Sequence, residues 1–279
     1  ISVNGSSIRV SDPNHTLSAG TGATQVDANT VDVLISGITG STGIIVDTLG
    51  GDDTLVVDFT GGAFTNAIDF RGGTNVSTNP GDQLILTGGG IFASASFGFT
   101  SASDGTIDVT GNSSISYTGL EPITSGITAT NVTLNYSAAS ETLTVTDATG
   151  DQTKVTSDTS AEQVTFNNPT GTLTINAGET GGDIVNVNSL ASGFSGNVII
   201  SGQSGIDTVN LNGDVSLASG KSLEINADTI TVSAATDLIT SGAGTVTLTA
   251  DRNIVMAAGS GIATIDGGIT LQANLSGTL

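Results

Sequence analysis

The feature that most constrains the fold is a pattern of short apolar segments that recurs about every 23 residues. This period lies within the range of solenoid repeats. Leu223, Val246 and Ile269 are evenly spaced along the chain, and each is followed two positions later by another Leu or Ile. A second set interleaves with the first, at intervals that alternate between slightly shorter and slightly longer, and comprises Val164/Phe166, Val185/Val187, Val209/Leu211, Ile230/Val232 and Ile254/Met256. Apolar-polar alternation that ends in Gly, Asn or Asp is typical of strands and turns. The chain is therefore predicted to be all-β.

A repeat of about 21 to 25 residues with two or three short strands suits one coil of a parallel β-helix. Successive coils stack at about 4.8 Å, so equivalent positions form ladders and one face of each strand points into a common core. The fold of a β-sandwich does not require strands to recur at such a constant spacing along the chain. We predict a right-handed parallel β-helix, a solenoid whose third side is formed by the short apolar pieces Val215/Leu217, Leu238/Ile239 and Ile262.

The first part of the chain is less regular. One set of apolar pairs there is Val31/Val33, Leu55/Val57, Leu84/Leu86 and Ile107/Val109, and its interval from Leu55 to Leu84 is longer than the other two. A loop insertion at 74–79 would explain the long interval. Long alternation and turn signals predict an antiparallel excursion near 91–118, with strands at about 91–99, 106–110 and 114–118. We therefore divide the chain into irregular coils at 1–122 and regular coils at 123–279, continuous with each other.

Charge and composition exclude several classes of function. Five Lys and Arg stand against 26 Asp and Glu, so the net charge of -21 disfavours nucleic-acid binding and contact with an anionic membrane. The absence of Cys excludes disulfides and thiolate metal sites. No apolar run is long enough for membrane insertion. The chain begins without Met and ends in a strand-like segment, which we interpret as a piece of a longer chain or a processed one.

Gly/Asp turns that lead into strands are the strongest candidate sites. The segments 202–210 and 178–186 each fit the calcium-binding nonapeptide G-G-x-G-x-D-x-U-x with one mismatch, and shorter versions lie at 50–55 and 80–84. Asp183, Asp207, Asp228 and Asp251 would form a column if the coils are in register. The candidate Ca²⁺ ligands are Asp52, Asp53, Asp82, Asp183, Asp207, Asp228 and Asp251.

Two interpretations of these carboxylates stay open. The favoured one is that each Asp caps its own turn by accepting hydrogen bonds from backbone N–H groups. The alternative is that stacked carboxylates bind Ca²⁺, which would relieve their mutual repulsion. Asn186/Asn210 and Asn188/Asn212 would form a neutral, structural ladder beside them.

Catalysis is not expected. Lyases that act on acidic sugars need basic residues, which are scarce here, and carboxylate pairs of a hydrolase arise easily by chance in such an acidic chain. The lone His15 lies beside Pro13 in a loop with no partner apparent in the sequence, so it is interpreted as an exposed loop residue. A carbohydrate-active β-helix enzyme stays as an alternative to a structural role.

Four segments resemble known repeats. The stretches 50–59 (GGDDTLVVDF), 81–89 (GDQLILTGG) and 117–123 (YTGLEPI) resemble repeats of very large secreted surface proteins of aquatic bacteria, of the RTX-like adhesin kind. The stretch 250–262 (ADRNIVMAAGSGI) is similar to filamentous-haemagglutinin-type β-helix repeats. The resemblance implies an adhesive, fibrous or surface-coating role in a bacterial protein that is secreted or held at the cell surface. It also leaves open a Ca²⁺-dependent module that binds carbohydrate, with surface glycans as partners.

Stacked strands also predict a partner at each end. The end coils of a β-helix expose strand edges, which pair with other strands unless they are covered. Neither terminus shows a helical or charged cap. We therefore expect each end to contact a neighbouring β-unit of the same chain or of the next subunit, as in a homo-oligomer or filament.

Overall fold

The computed structural model describes residues 1–39, 43–76, 80–120, 122–137, 140–158 and 163–274. These residues form 26 strands and two short 3-10 helices, Ile35–Gly37 and Phe59–Gly61, and they contain no α-helix. The chain is all-β, as predicted. In the described ranges no helix has the length and apolar character needed to cross a membrane.

The strands are, in chain order, β1 (Ser2–Asn4), β2 (Ser7–Ser11), β3 (Ala23–Asp27), β4 (Thr30–Leu34), β5 (Ile44–Asp47), β6 (Thr54–Asp58), β7 (Ile68–Arg71), β8 (Gln83–Thr87), β9 (Ile91–Phe99), β10 (Gly105–Val109), β11 (Ile115–Thr118), β12 (Ile123–Ser125), β13 (Thr128–Tyr136), β14 (Thr142–Ala148), β15 (Gln152–Ser157), β16 (Val164–Asn167), β17 (Thr172–Asn176), β18 (Ile184–Val187), β19 (Asn197–Ser201), β20 (Thr208–Leu211), β21 (Val215–Ser219), β22 (Leu223–Val232), β23 (Asp237–Ser241), β24 (Val246–Met256), β25 (Gly261–Ala263) and β26 (Ile269–Gln272).

A large, mostly parallel sheet of 23 strands contains two stacks of paired strands. Stack 1 has the order β1-β6-β8-β12-β16-β15-β14-β18-β20-β22-β24. Stack 2 has the order β5-β7-β11-β10-β9-β13-β17-β19-β22-β24-β26. The long strands β22 and β24 belong to both stacks, because their first halves pair in stack 2 and their second halves in stack 1. Each strand position in a stack is called a layer below.

Two smaller groups of strands complete the fold. At the N-terminal end of stack 1, β1 pairs antiparallel with β2, β2 with β4, and β4 with β3. The short apolar pieces predicted to form a third side lie in a separate parallel sheet of β21, β23 and β25. In that sheet Val215 pairs with Leu238, and Leu238 pairs with Ile262.

The register follows the predicted repeat. Leu223 pairs with Val246, which pairs with Ile269, so residues one repeat apart are neighbours across parallel strands. Buried apolar residues alternate with more exposed residues, most of them polar, along β17, β18, β19 and β20. The buried side chains of both stacks form one continuous apolar core. Apolar alternation therefore places one face of each strand in the core, and the repeat aligns these faces from layer to layer.

The predicted antiparallel excursion is confirmed in stack 2. Strands β9, β10 and β11 form an antiparallel meander, with Ile107 paired to Phe97 on one side and to Ile115 on the other. The meander lies between β7 and β13 and pairs with both in parallel. Phe97 and Phe99 are buried in it. The excursion is therefore a built-in part of the stack.

A second meander was not predicted. Strands β14, β15 and β16 pair antiparallel and lie between β12 and β18 in stack 1, within the part of the chain described as regular coils. The turn between β14 and β15 has positive φ at both Gly150 (80°) and Asp151 (60°). Each meander adds two strands to its stack, so both stacks reach eleven layers. Two stacks that share strands and a core pack best with the same number of layers, and the two insertions keep these numbers equal.

The remaining predictions about organisation fall partly on residues outside the described ranges. In the predicted insertion at 74–79, Thr74 forms an isolated parallel bridge with Gly50, and residues 77–79 are outside the description. At the predicted boundary, Glu121 is also outside it, and Pro122 precedes β12 with its carbonyl accepting a hydrogen bond from the Leu84 N–H at 3.2 Å. The division at 122/123 stays a prediction.

Candidate functional site

A ladder of carboxylates runs along the start of the strands in stack 1. Asp183 and Asp207 lie directly before β18 and β20, and Asp228 lies in β22 at the same position. Asp183 Oδ1 accepts a hydrogen bond from the Glu141 N–H at 2.8 Å, Asp207 Oδ1 from the Asp183 N–H at 2.9 Å, and Asp228 Oδ2 from the Asp207 N–H at 3.1 Å. Each carboxylate therefore bonds to the backbone of the preceding layer. Asp183 also accepts a backbone hydrogen bond from Gly178 of its own turn, as the capping interpretation predicts. The three bonds given above join adjacent layers, which was not predicted.

The same bond occurs near the N-terminal end of stack 1. Asp53 and Asp82 lie directly before β6 and β8, and Asp82 Oδ1 accepts a hydrogen bond from the Asp53 N–H at 2.7 Å. The neighbouring Asp52 is exposed, and its Oδ1 accepts from the Val76 N–H at 2.9 Å. The predicted candidates Asp53 and Asp82 are thus brought together by strand pairing.

These carboxylates are buried, and burial is costly for a charged group. Asp82, Asp183 and Asp207 are 0%, 1% and 2% exposed. Desolvation raises the pKa of all three carboxyls above the ordinary Asp value, and the backbone hydrogen bonds offset only part of this effect. At Asp207, repulsion from Asp183 and Asp228 raises the pKa further. These three carboxyls therefore favour their protonated forms more strongly than isolated carboxyls do.

Glycine makes room for one of these side chains. A Cβ at Gly202 would lie 2.6 Å from Asp207 Cβ and 2.7 Å from Asp207 Oδ2. Real Cβ atoms do not approach other atoms that closely, so any larger residue at 202 would displace the carboxylate. The Gly of the nonapeptide at 202–210 is explained here by packing against Asp207.

Buried carboxylate oxygens with no hydrogen-bond partner among the described residues lie at Asp53, Asp82 and Asp183, and two of them, those of Asp53 and Asp82, face adjacent layers. Carboxylate oxygens are the ligands that Ca²⁺ prefers. However, the described residues contain no group of three or more His, Asp or Glu side chains with metal-ligand spacing. Any further ligands at Asp53 and Asp82 would have to be backbone carbonyls, amide oxygens or water.

The C-terminal end of the ladder differs from the predicted column. A register shift between Ala227 and Thr229 displaces Asp251, which is exposed and does not continue the ladder. Asp228 Oδ1 lies 3.5 Å from Arg252 Nε instead. Here a polar cavity of about 230 Å³ is lined by Ser201, Gln203, Asp207, Asn226, Ala227, Asp228, Thr249 and Asp251. The four predicted Asp residues are therefore gathered in one region, but only three of them form the ladder.

Neutral amides form a second ladder beside the carboxylates. Asn210 Nδ2 donates to Asn186 Oδ1 at 3.0 Å, and Asn212 Nδ2 donates to Asn188 Oδ1 at 3.0 Å. The predicted amide ladder is confirmed, and its hydrogen bonds run between layers, as those of the carboxylates do.

One member of the carboxylate ladder was missed from the sequence. Glu141 precedes β14, is 2% exposed, and accepts a hydrogen bond from Ser157 Oγ at its Oε2, at 2.8 Å. Its layer is adjacent to that of Asp183, but it stands 42 residues earlier in the chain because β15 and β16 of the second meander come between them in sequence. A search at the spacing of the regular coils could not find it, although its position before an alternating strand was a usable signal.

The interpretation of His15 as a residue without a partner was wrong. His15 Nδ1 lies 2.9 Å from Asp12 Oδ2, three residues earlier. The side chain of His15 is exposed, as predicted. The N-terminal loop therefore holds an organised group of polar residues, far in sequence from the carboxylate ladder.

Taken with the fold, these contacts define an acidic, all-β, mostly parallel stack whose layers are cross-linked by polar side chains. Comparison with protein-family profiles, curated protein sequences and solved structures finds no match for the chain. Its function is therefore argued from the geometry of the strands and of the polar groups they position.

Proposed function

We propose that the chain winds as a right-handed parallel β-helix and is a structural or adhesive segment of a large secreted bacterial protein, at the cell surface or in a filament. Parallel pairs one repeat apart along the chain and a third parallel sheet support the winding. A right-handed connection between parallel strands is the general rule. The proposed role is to stack end to end with further β-units.

The observation that carries this proposal is the exposure of the last layer in stack 2. Ile269 and Leu271 of β26 are 46% and 49% exposed, although their partners Val246 and Leu248 are 0% exposed. They continue the core ladder, so another layer on β26 would bury them as β24 buries its own neighbours. Burial of apolar area contributes about 25 cal/mol per Å². The apolar side chains and the free strand edge both favour a β-strand as the partner.

The last layer of stack 1 supports the same conclusion. Met256 of β24 is 39% exposed, whereas its partner Val232 is fully buried. At the opposite end, stack 1 is covered by the antiparallel strands β1, β2, β4 and β3. The β24/β26 end has no such covering strands among the described residues, although apolar side chains are also exposed elsewhere, such as Ile45 of β5 at 46%. We propose that this end binds a β-unit of the same chain or of the next subunit.

An adhesive role is supported by the outward faces of the stacks. Thr174 and Asn176 of β17 and Asn186 of β18 alternate with core residues and are only partly exposed, within rows of hydroxyl and amide groups. Such rows supply both donors and acceptors of hydrogen bonds. This chemistry suits polar partners such as surface glycans, and the high negative charge keeps the chain soluble outside its assembly.

The test is self-association of the purified chain. Light scattering over a concentration series should show larger species, and the double substitution Ile269→Lys with Leu271→Lys should abolish them. The control is Ile206→Lys, which charges an apolar residue that is 59% exposed in the body of the stack. A chain that is strictly monomeric at all concentrations would contradict the end-to-end proposal.

A second candidate function is Ca²⁺-dependent binding, favoured by the two buried carboxylate oxygens of Asp53 and Asp82 that lack partners among the described residues. A ligand that binds only the folded state raises its stability by about 2.7 kcal/mol at 100 times its Kd. Thermal melts with millimolar Ca²⁺ and with chelator should differ for the native chain and for Asp108→Asn, an exposed control. They should coincide for Asp82→Asn. If the native chain melts at the same temperature with Ca²⁺ and with chelator, Ca²⁺-dependent binding is excluded as a function.

A further inference from the structure

The loop between β2 and β3 contains the only Asp–Pro peptide bond and the only His of the chain. The four Pro residues at 13, 80, 122 and 169 follow Asp12, Asn79, Glu121 and Asn168, so only Pro13 follows an Asp. An aspartate side chain can attack its own carbonyl carbon and close a five-membered ring, with proline nitrogen as the leaving group. The residues around this bond supply groups that would assist such a step.

The Asp12 carboxylate is held beside the peptide bond that follows it. Asp12 Oδ1 accepts hydrogen bonds from the Asn14 N–H at 2.8 Å and from the His15 N–H at 3.1 Å. Because these donors belong to residues that follow Pro13, the Asp12 side chain folds forward along the chain, toward the Asp12–Pro13 peptide bond. The Asn14 N–H bond and then the His15 side chain hold the Asp12 pKa below its usual range. The carboxylate is thus ionised and able to act as a nucleophile.

The carbonyl of the same peptide bond is polarised by a side-chain donor. Asn29 Nδ2 donates to the Asp12 carbonyl oxygen at 3.0 Å and to the His15 carbonyl oxygen at 2.6 Å. Asn29 is itself positioned by its backbone carbonyl, which accepts the Asp12 N–H at 3.0 Å. A donor on a carbonyl oxygen stabilises the negative charge that develops there during attack.

A proton donor completes the group. His15 Nδ1 lies 2.9 Å from Asp12 Oδ2, and the His15 side chain is 78% exposed. The leaving nitrogen of Pro13 needs a proton as the peptide bond breaks, and His15 is the nearest side chain in the sequence that can supply one.

We propose that this loop cleaves its own Asp12–Pro13 peptide bond. A carboxylate oxygen of Asp12 forms a bond to the Asp12 carbonyl carbon, and the bond from that carbon to the Pro13 nitrogen breaks. The His15 imidazolium gives its proton to the departing nitrogen. Water then opens the cyclic anhydride, which leaves Asp12 with a free α-carboxyl group, Pro13 with a free secondary amine, and a proton that returns to His15.

Cleavage would nick the molecule and leave the fold in place. Residues before the bond include β1 and β2, and β2 stays paired with β4 through five residue pairs from Ser7/Leu34 to Ser11/Thr30. Arg9 also binds Asp32 through two hydrogen bonds, at 2.9 and 2.8 Å. The nick therefore frees the loop 12–22 while the strands on both sides remain in the sheet. This activity is independent of the end-to-end stacking proposed above.

The test is intact-mass spectrometry of the purified chain during incubation at about pH 5.5 and about pH 8. We expect two fragments that together exceed the parent mass by one water, with Pro13 as the new N-terminus and faster cleavage at the lower pH. Asp12→Glu should abolish cleavage, because the longer side chain closes the ring poorly. Glu121–Pro122 in the same chain is an internal control that should stay intact.

Two further variants separate a built site from the general acid lability of Asp–Pro bonds. His15→Gln should slow cleavage about 100-fold and remove its dependence on mildly acidic pH. Asn29→Ala should slow it about fivefold, as loss of one hydrogen bond of about 1 kcal/mol predicts. Circular dichroism checks that both variants fold. An intact native chain after days at mildly acidic pH would overturn the proposal. So would equal cleavage rates in the folded chain, in His15→Gln and in concentrated urea.

Discussion

The middle layers and the last layers of the stacks carry the same apolar ladder but differ in what covers it. In the middle, Leu223 and Ile225 lie between β19 and β24 and are 1% and 0% exposed. In the last layer, Ile269 and Leu271 pair only with β24 among the described residues and are about half exposed. The carboxylate ladder shows the same contrast, because Asp207 bonds to the layer before it whereas Asp251 is exposed.

This difference teaches that the stability of a layer depends on having neighbours on both sides. In repeat architectures, stability is approximately a sum of unit terms and nearest-neighbour terms. A middle layer has two interfaces and an end layer has one. The following predictions therefore compare equivalent residues in the middle and at the end.

The largest difference is expected for one truncation made in two layers. Leu248→Ala removes a fully buried side chain, so it should lower the free energy of unfolding by about 2–5 kcal/mol. Leu271→Ala, at the next position of the same column, should cost less than about 1 kcal/mol, since the side chain is 49% exposed. Urea denaturation of both variants measures this. Equal losses would show that the last layer is as well packed as the middle.

A smaller difference is expected for two glycines. Gly202→Ala should destabilise the chain by about 1–3 kcal/mol, because the new Cβ would overlap Asp207 Cβ at 2.6 Å. Gly268→Ala, near the last layer, should change stability by less than about 1 kcal/mol, because no atom lies within 4 Å of its new Cβ. Thermal melts of the two variants provide the comparison. If Gly202→Ala melts like the native chain, the carboxylate of Asp207 is not held as described.

The smallest effect concerns pH. Burial raises the pKa of Asp82, Asp183 and Asp207 in the folded chain. A raised folded pKa gives stability that is complete below the unfolded Asp pKa of about 3.9 and is lost as the pH rises through the folded pKa. We therefore expect the Tm to rise as the pH falls from about 7 to about 5.

Other carboxyls contribute to stability with the opposite pH dependence, at lower pH. The pKa values of Asp12, Asp32 and Asp58 are lowered by hydrogen bonds, so their contributions are present above about pH 3.9 and are lost below it. Asp207→Asn should flatten the rise between about pH 7 and about pH 5, because an amide still accepts the Asp183 N–H without ionising. A Tm that falls steadily from neutral to mildly acidic pH would contradict the assignment.

Much of the register could be predicted from the sequence, because apolar pairs one repeat apart, such as Leu223 and Val246, became direct strand partners. The first meander was also predictable, since long alternation through Phe97 and Phe99 differs from the short strings of the regular part. The second was hidden because Val164 and Phe166 keep the spacing of the regular set. They stack on Ile123 and Ser125 of β12, which precedes the meander.

The candidate site was predicted less completely, for physical reasons. A carboxylate bonds to the backbone of the preceding layer only if the two strands are aligned in a particular way. The spacing of residues in the sequence does not specify that alignment. Glu141 was separated from its neighbour by an inserted meander, and Asp251 was displaced by the irregular pairing near Ala227. The contact between His15 and Asp12 joins residues three apart, so a search for local polar pairs could have found it.

The central claim is that the β24/β26 end binds a further β-layer. Hydrogen exchange of backbone amides, followed over a series of protein concentrations, tests it most directly. We predict that the amides of Ile269 to Gln272 exchange quickly in dilute solution and become as protected as those of Leu223 to Asn226 when the chain self-associates. Fast exchange in β26 at every concentration, together with unchanged protection in β22, would contradict the claim.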